Sequence, residues 1–210
     1  NGVEVQTTAG TKTIAANSVI LATGGFGASK EYMKRYRPDL VDYKTTNQPG
    51  ATGDGLKLGE DVGAQLVQMD LIQVHPTVQQ DNPHVYLIGE VVRGEGAILV
   101  NAKGQRFVNE LNTRKIVSNA ITALPEHSAY LIFDQGIRDR AKAVDFYDKV
   151  GLVVSGNTIE ELAQKLSMEP ATLKKTVATW NQAVKDHDDQ EFSRTTGMDR
   201  DIAKPGFFAI

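Results

Sequence analysis

Ser18-Val19-Ile20-Leu21-Ala22-Thr23 leaves a chain few places to put it. The run carries no charge and does not alternate, so it reads as a strand covered on both faces, of the kind α/β sheets bury. It stops at Gly24-Gly25, with Gly27 and Ser29 following. Ser29 caps a helix through Tyr36, which Pro38 ends. Upstream, Val3, Val5 and Thr7 alternate with polar residues, Gly10 turns the chain, and Thr11 to Ala15 returns it as an antiparallel hairpin. The chain opens at Asn1-Gly2, a dipeptide that favours a tight hairpin turn, with no strand before it. It reads as a piece cut from a longer chain.

Beyond a loop from Val41 to Gly53, Asp54 to Val62 reads as a helix stopped at Gly63. The texture changes near Leu71, the expected domain boundary. Ala97 to Val100 and Gln105 to Val108 read as a β-hairpin around Asn101-Ala102-Lys103-Gly104. Helices are expected at Thr113–Leu124 and Gln135–Lys149, around a strand Tyr130–Phe133. Thr158 and Glu161 form a capping box ahead of a helix to Leu166, and Pro170 opens the next one. There Leu173, Val177, Trp180 and Val184 recur at helical spacing and make one apolar face.

Composition narrows the chemistry. With 210 residues, 40% hydrophobic and 23% charged, the chain can bury a core, and disorder is excluded. A net charge of −3 argues against a general nucleic-acid or polybasic membrane surface. No apolar run approaches the roughly 20 residues of a membrane span. There is no cysteine, so neither a disulfide scaffold nor thiol redox chemistry is available. The four histidines show no metal-ligand spacing, and no metal site is expected.

The motifs leave alternatives open when taken singly. Thr23, Gly24 and Gly25 close the apolar run, either as an ordinary turn or as a place where backbone approaches a ligand at a strand's carboxyl end. Gly50-Ala51-Thr52-Gly53-Asp54-Gly55 runs into a helix start, where N–H groups favour an anion or an oxygen-rich ligand. Asp54 either accepts from a ribose hydroxyl or ring N–H, or caps its own helix. Its spacing is neither Gly-x-Gly-x-x-Gly nor a Walker loop. Pro76 fixes the backbone after His75 and so sets the ring's direction. Glu90 and Arg93 stand three apart beside Gly94 and Gly96, followed by Arg106, Glu110 and Arg114. A surface ion pair explains any one of them, whereas the set suggests a small anionic ligand.

Together, Val19–Phe26, Gly50–Gly55, Gln73–Thr77, Glu90–Asn101, Gly104–Glu110 and Thr113-Arg114 resemble the FAD-dependent fumarate reductase flavoprotein family. That family includes flavocytochrome-type fumarate reductases and, more distantly, succinate dehydrogenase flavoprotein subunits and L-aspartate oxidase. The resemblance implies an α/β fold with an α+β cap. Residues 1–71 would be the C-terminal part of a Rossmann-like FAD-binding domain segment, and residues 72–210 the capping domain. It implies hydride transfer from flavin N5 to the double bond of a dicarboxylate, with a proton from Arg114. Glu90 and Arg93 would reprotonate Arg114, His75 and the Gly89–Glu90 segment would bind substrate, and Asp54, Thr23, Gly24 and Gly53 would contact FAD. An electron-donor domain or protein, bearing haem or FMN, would lie outside this sequence.

Gly89 sits where relatives usually carry a threonine that helps hold a carboxylate, and Lys115 replaces the acid that commonly follows the arginine. These departures keep a second reading open: reduction of another 2-enoate such as acrylate, methacrylate or a urocanate relative. A third is a non-catalytic ligand-binding or interaction module on an α/β scaffold.

Overall fold

The computed structural model describes residues 2–81 and 83–210. The expected Asn1-Gly2 turn rests on Asn1, which lies outside them. The chain divides between Ile72 and Gln73 into two compact units.

In the first unit, β1 (Gly2–Thr7) pairs antiparallel with β2 (Gly10–Ala15), in a register that sets Gly2 against Ala15 and Thr7 against Gly10. Gly10 has a φ of +110°, the backbone geometry that the turn requires. Helix α1 (Lys30–Tyr36) starts as expected, with the Ser29 hydroxyl accepting the Tyr32 N–H at 3.3 Å. A 3₁₀ turn at Pro38–Leu40 follows, and α2 (Asp54–Asp61) ends before Gly63 in the left-handed region.

One expectation fails here. Ser18–Thr23 forms no strand, and Ile20 is 90% exposed. A buried strand needs neighbours to take its N–H and C=O groups. Among the described residues β1 and β2 pair only with each other, so this segment has no ladder to join. Its hydrophobicity is real, but the burial that the run anticipates is absent.

The second unit holds the core. A short ribbon pairs β3 (Val78–Gln79) with β4 (Tyr86–Leu87), and α3 (Val91–Gly94) follows. An antiparallel sheet in the order β5-β6-β8-β7 is built from β5 (Ile98–Val100), β6 (Tyr130–Asp134), β7 (Val154–Gly156) and β8 (Phe207–Ala209). Helices α4 (Arg114–Thr122), α5 (Gln135–Arg140), α6 (Ala143–Lys149), α7 (Ile159–Lys165) and α8 (Pro170–Asp186) complete it. Helices and antiparallel strands in one unit make an α+β arrangement. On α8 the Leu173, Val177, Trp180 and Val184 face is buried as its spacing requires. The Thr158 hydroxyl accepts the Glu161 N–H at 3.1 Å, while Glu161 reaches back to the Asn157 N–H at 2.8 Å rather than to that of Thr158.

Two expectations are corrected. The helix over Gln135–Lys149 is two helices, α5 and α6. Ala141 and Val144 are fully buried at the break, and Arg138 of α5 bonds Asp148 of α6 at 2.6 Å. The hairpin over Ala97–Val108 shrinks to β5 and a single bridge between Val100 and Arg106. Arg106 turns inward there, and the reason is a buried charge cluster.

In that cluster Arg106 and Glu110 are 1% and 0% exposed and bond at 2.9 and 3.0 Å. Arg106 also forks onto Asp189 at 3.0 and 2.9 Å. Arg194 donates to Glu110 at 3.1 Å and to the carbonyls of Arg93, Ala97, Thr196 and Gly197. Both guanidinium groups lie against the Trp180 ring, at 4.7 and 4.6 Å. Burial works against the Arg106 charge, but its bonds to Glu110 and Asp189 outweigh that and raise its pKa. Arg106 and Glu110 are therefore spent inside the fold, and the anionic ligand expected for them is supplied by the protein's own carboxylates.

Candidate functional site

The second unit gathers the predicted side chains His75, Gly89, Glu90, Arg93 and Arg114 on neighbouring short elements. Thr77 and Ile88 are tied twice, by Ile88 N–H to Thr77 O at 3.0 Å and by Thr77 Oγ1 to Ile88 O at 2.7 Å. This sets the His75 segment beside the loop carrying Gly89 and Glu90. The Ser118 hydroxyl of α4 donates to Val74 O at 3.0 Å and ties the same segment to α4.

Arg114 is the first residue of α4, whose N-cap is Thr113. A cation there faces the positive end of the helix dipole. Glu90 answers it in the bidentate geometry suited to a guanidinium, with Nε to Oε1 at 2.6 Å and Nη2 to Oε2 at 3.1 Å. Arg114 also donates through Nη1 to Gln73 Oε1. Its side chain is nonetheless 44% exposed, so a ligand can reach it. The hydrogen bond from Arg114 lowers the Glu90 pKa, and the same bond raises that of Arg114.

Arg93 stands behind this pair and is 1% exposed. Nη1 donates to Glu110 O at 2.6 Å, and Nη2 lies 3.7 Å from Glu90 Oε1. Its Nε and Nη2 are buried without a hydrogen-bond partner among the described residues. Burial lowers its pKa, so Arg93 holds its proton less tightly than an ordinary arginine. His75 is half-buried, with Nδ1 3.3 Å from Thr77 N and 3.1 Å from Thr77 O. Burial lowers its pKa below the ordinary histidine value; the Arg93 and Arg114 charges act the same way, while the Thr77 backbone bond and Glu90 oppose them. The shift favours the neutral ring.

The first unit brings the other predicted residues together. Gly53 N–H bonds Gly25 O at 3.1 Å and Ala28 N–H bonds Ala51 O at 2.9 Å, so the two glycine-rich segments lie side by side. Thr23 Oγ1 sits 1.9 Å from where a Cβ on Gly55 would be. Gly53 is left-handed, with φ +87°, and a Cβ there would meet the Tyr32 ring at 2.7 Å. Gly24, with φ +80°, has open space around its Cβ position. Gly53 occupies the N-cap of α2, so Asp54 does not cap its helix; Asp54 is exposed and accepts from Thr52 Oγ1 at 2.8 Å. Thr23, Gly24, Gly53 and Asp54 thus lie together at a helix start, with backbone N–H donors and an exposed carboxylate that retains acceptor capacity beside its bond to Thr52, a set compatible with the polar part of a dinucleotide cofactor.

Two contacts escaped the sequence reading. Gln73 is a partner of Arg114, and only its place two residues before His75 on an extended segment signals that it shares that side. Tyr147 of α6 accepts the Gly89 N–H at 2.9 Å across 58 residues, and no local pattern announces it.

Comparison with known proteins gives these groups a context. The model of a family described as FAD binding domain matches residues 1–209. The NADH:fumarate oxidoreductase of Klebsiella pneumoniae (strain 342) is 47% identical over 197 residues, covering 94% of this chain and 21% of that protein. A probable fumarate reductase, Ifc3, of Shewanella frigidimarina (strain NCIMB 400) is 40% identical over 197 residues, covering 94% of this chain and 33% of its own length. Among solved structures, the open conformation of a flavocytochrome c3 fumarate reductase superposes with a TM-score of 0.74 and 39% identity, over 100% of this chain and 37% of that one. This chain therefore spans between a fifth and two-fifths of these three proteins.

Proposed function

Because the chain belongs to the FAD binding domain family, we propose that it forms part of an FAD-dependent enoate reductase whose substrate is fumarate. The observation that carries this reading is Arg114: an exposed guanidinium held bidentate by Glu90, with buried Arg93 behind the pair. On this reading residues 1–71 end an FAD-binding domain and residues 72–210 form the capping domain that supplies the substrate groups.

Thr23, Gly24, Gly53 and Asp54 would hold FAD, and the bound cofactor would supply hydride chemistry at one alkene carbon. Arg114 delivers the proton to the other carbon. An arginine gives up a proton only to a strongly basic, carbanion-like centre, since its ordinary pKa lies above about 12. Its fixed charge also stabilises the negative charge that develops on the substrate. Glu90 then returns a proton to Arg114, with Arg93 passing one to Glu90 and solvent making good the proton that the relay consumes. Burial weakens the hold of Arg93 on its proton and so eases a transfer that the low proton affinity of Glu90 opposes. His75 orients a substrate carboxylate through a ring nitrogen, with Gly89 and Glu90 on the adjoining loop. The electrons would come from a donor domain or protein outside this sequence, bearing haem or FMN.

Steady-state rates of the full-length, FAD-loaded enzyme that contains this chain, with fumarate, acrylate, methacrylate and urocanate, test the reading. Fumarate is expected to give the highest kcat/KM. Fumarate in last place would reject the substrate assignment, and no turnover with any enoate would reject the reading itself. The second reading, another 2-enoate as the natural substrate, is favoured by Gly89, which offers a carboxylate no side-chain donor.

A further inference from the structure

Tyr147 is 5% exposed, and its hydroxyl oxygen accepts the Gly89 N–H at 2.9 Å. A phenol that accepts one hydrogen bond still has a proton to donate. Among the described residues nothing accepts that proton. Buried hydroxyl groups ordinarily use their donor as well as their acceptor.

The position is as informative as the spare donor. Gly89 precedes Glu90 and contributes no side chain to the site. A Cβ placed on it would lie 3.5 Å from the Tyr147 hydroxyl and 3.9 Å from Val91 Cγ1, ordinary contact distances. The Tyr147 oxygen therefore stands where a side chain from residue 89 would reach. The loop that it grips is the one tied to the His75 segment through Thr77 and Ile88.

We propose that Tyr147 is a substrate-binding residue that selects dicarboxylates, its O–H donating to the substrate carboxylate beside Gly89. This rests on the enoate reductase reading above. On this assignment acrylate gives its one carboxylate to His75 and gains nothing from the contact, whereas fumarate has a second carboxylate for Tyr147. Selectivity is therefore where the residue shows itself.

The test is Tyr147→Phe in the FAD-loaded enzyme, assayed with both fumarate and acrylate. Phenylalanine keeps the ring and its edge contact with Phe146, 6.0 Å between centroids. Loss of a hydrogen bond to a charged group is expected to raise KM for fumarate about 10- to 100-fold. The variant also loses the bond that Tyr147 makes to Gly89 N–H, an effect common to both substrates, so the proposal is read in the excess rise of KM for fumarate over that for acrylate. A purely structural role would move both substrates alike, so an equal change for the two, or none for either, overturns the proposal. Flavin content and melting temperature check that the variant folds; if it does not, the same split is required of Tyr147→Leu. Wild-type enzyme that reduces neither substrate overturns the parent reading and this one with it. Wild-type enzyme active on both, with an unsplit variant, overturns this one alone.

Discussion

Arg114 sits at a helix start, where a cation is disfavoured, and a carboxylate holds it there in the open. Two exposed partners contribute only ~0–1 kcal/mol to stability. Arg114→Ala should therefore leave the thermal unfolding midpoint nearly unchanged. If the residue is the proton donor, turnover should fall by roughly 10²- to 10⁴-fold, the usual contribution of a positioned acid. Retained turnover removes Arg114 from that role. His75 permits a pH prediction with a definite sign. Its pKa is lowered in the folded protein, first by burial. Below the ordinary value of about 6.5 the unfolded state binds the proton that the folded state refuses, so stability falls as pH drops through that value. Melting curves from pH 8 to pH 5.5 should decline more steeply for the wild type than for His75→Gln. Parallel declines would show that the imidazole is not excluded from protonation by the fold.

Elements record a division between local and distant causes. The capping hydroxyls of Ser29, Thr113 and Thr158 act within three residues of themselves, and each helix that they announce is present. Thr158→Ala should cost about 1 kcal/mol, read from a denaturant midpoint. The α8 face was legible for the same reason, since helical spacing alone aligns Leu173 with Trp180. The break between α5 and α6 was not, because it contains neither proline nor glycine and follows from the burial of Ala141 and Val144. Nor was the strand at Ser18–Thr23 decidable from its own residues, since a ladder requires a neighbour. At the site, His75, Glu90, Arg93 and Arg114 were legible as residue types in order. The Glu110 network was not, because Arg194 lies 84 residues beyond Glu110 and Asp189 83 beyond Arg106. Glu110→Gln leaves Arg106 and Arg194 under-neutralised in the interior. It should cost about 3–5 kcal/mol, and a urea midpoint equal to wild type would contradict that account.

At the scale of the molecule, regular hydrogen-bonded structure is unevenly spread. Residues 16–24 are without helix or strand and largely exposed, while β6 is buried between β5 and β8. Hydrogen exchange should reach completion in 16–24 long before β6, and equal protection of the two would refute this picture. The cofactor contacts assigned to this chain are few, and its sequence holds no Gly-x-Gly-x-x-Gly turn. Expressed by itself, it should purify colourless; stoichiometric flavin in the purified chain would show that the cofactor contacts are misassigned. The Glu110–Arg194 bond has a consequence for synthesis. A ribosome reading this message delivers Arg106 and Glu110 together, long before Asp189 and Arg194, with the whole of α8 in between. Until that last stretch emerges the early ion pair lacks half its partners, so the charge cluster is completed only when the end of the second unit has been made.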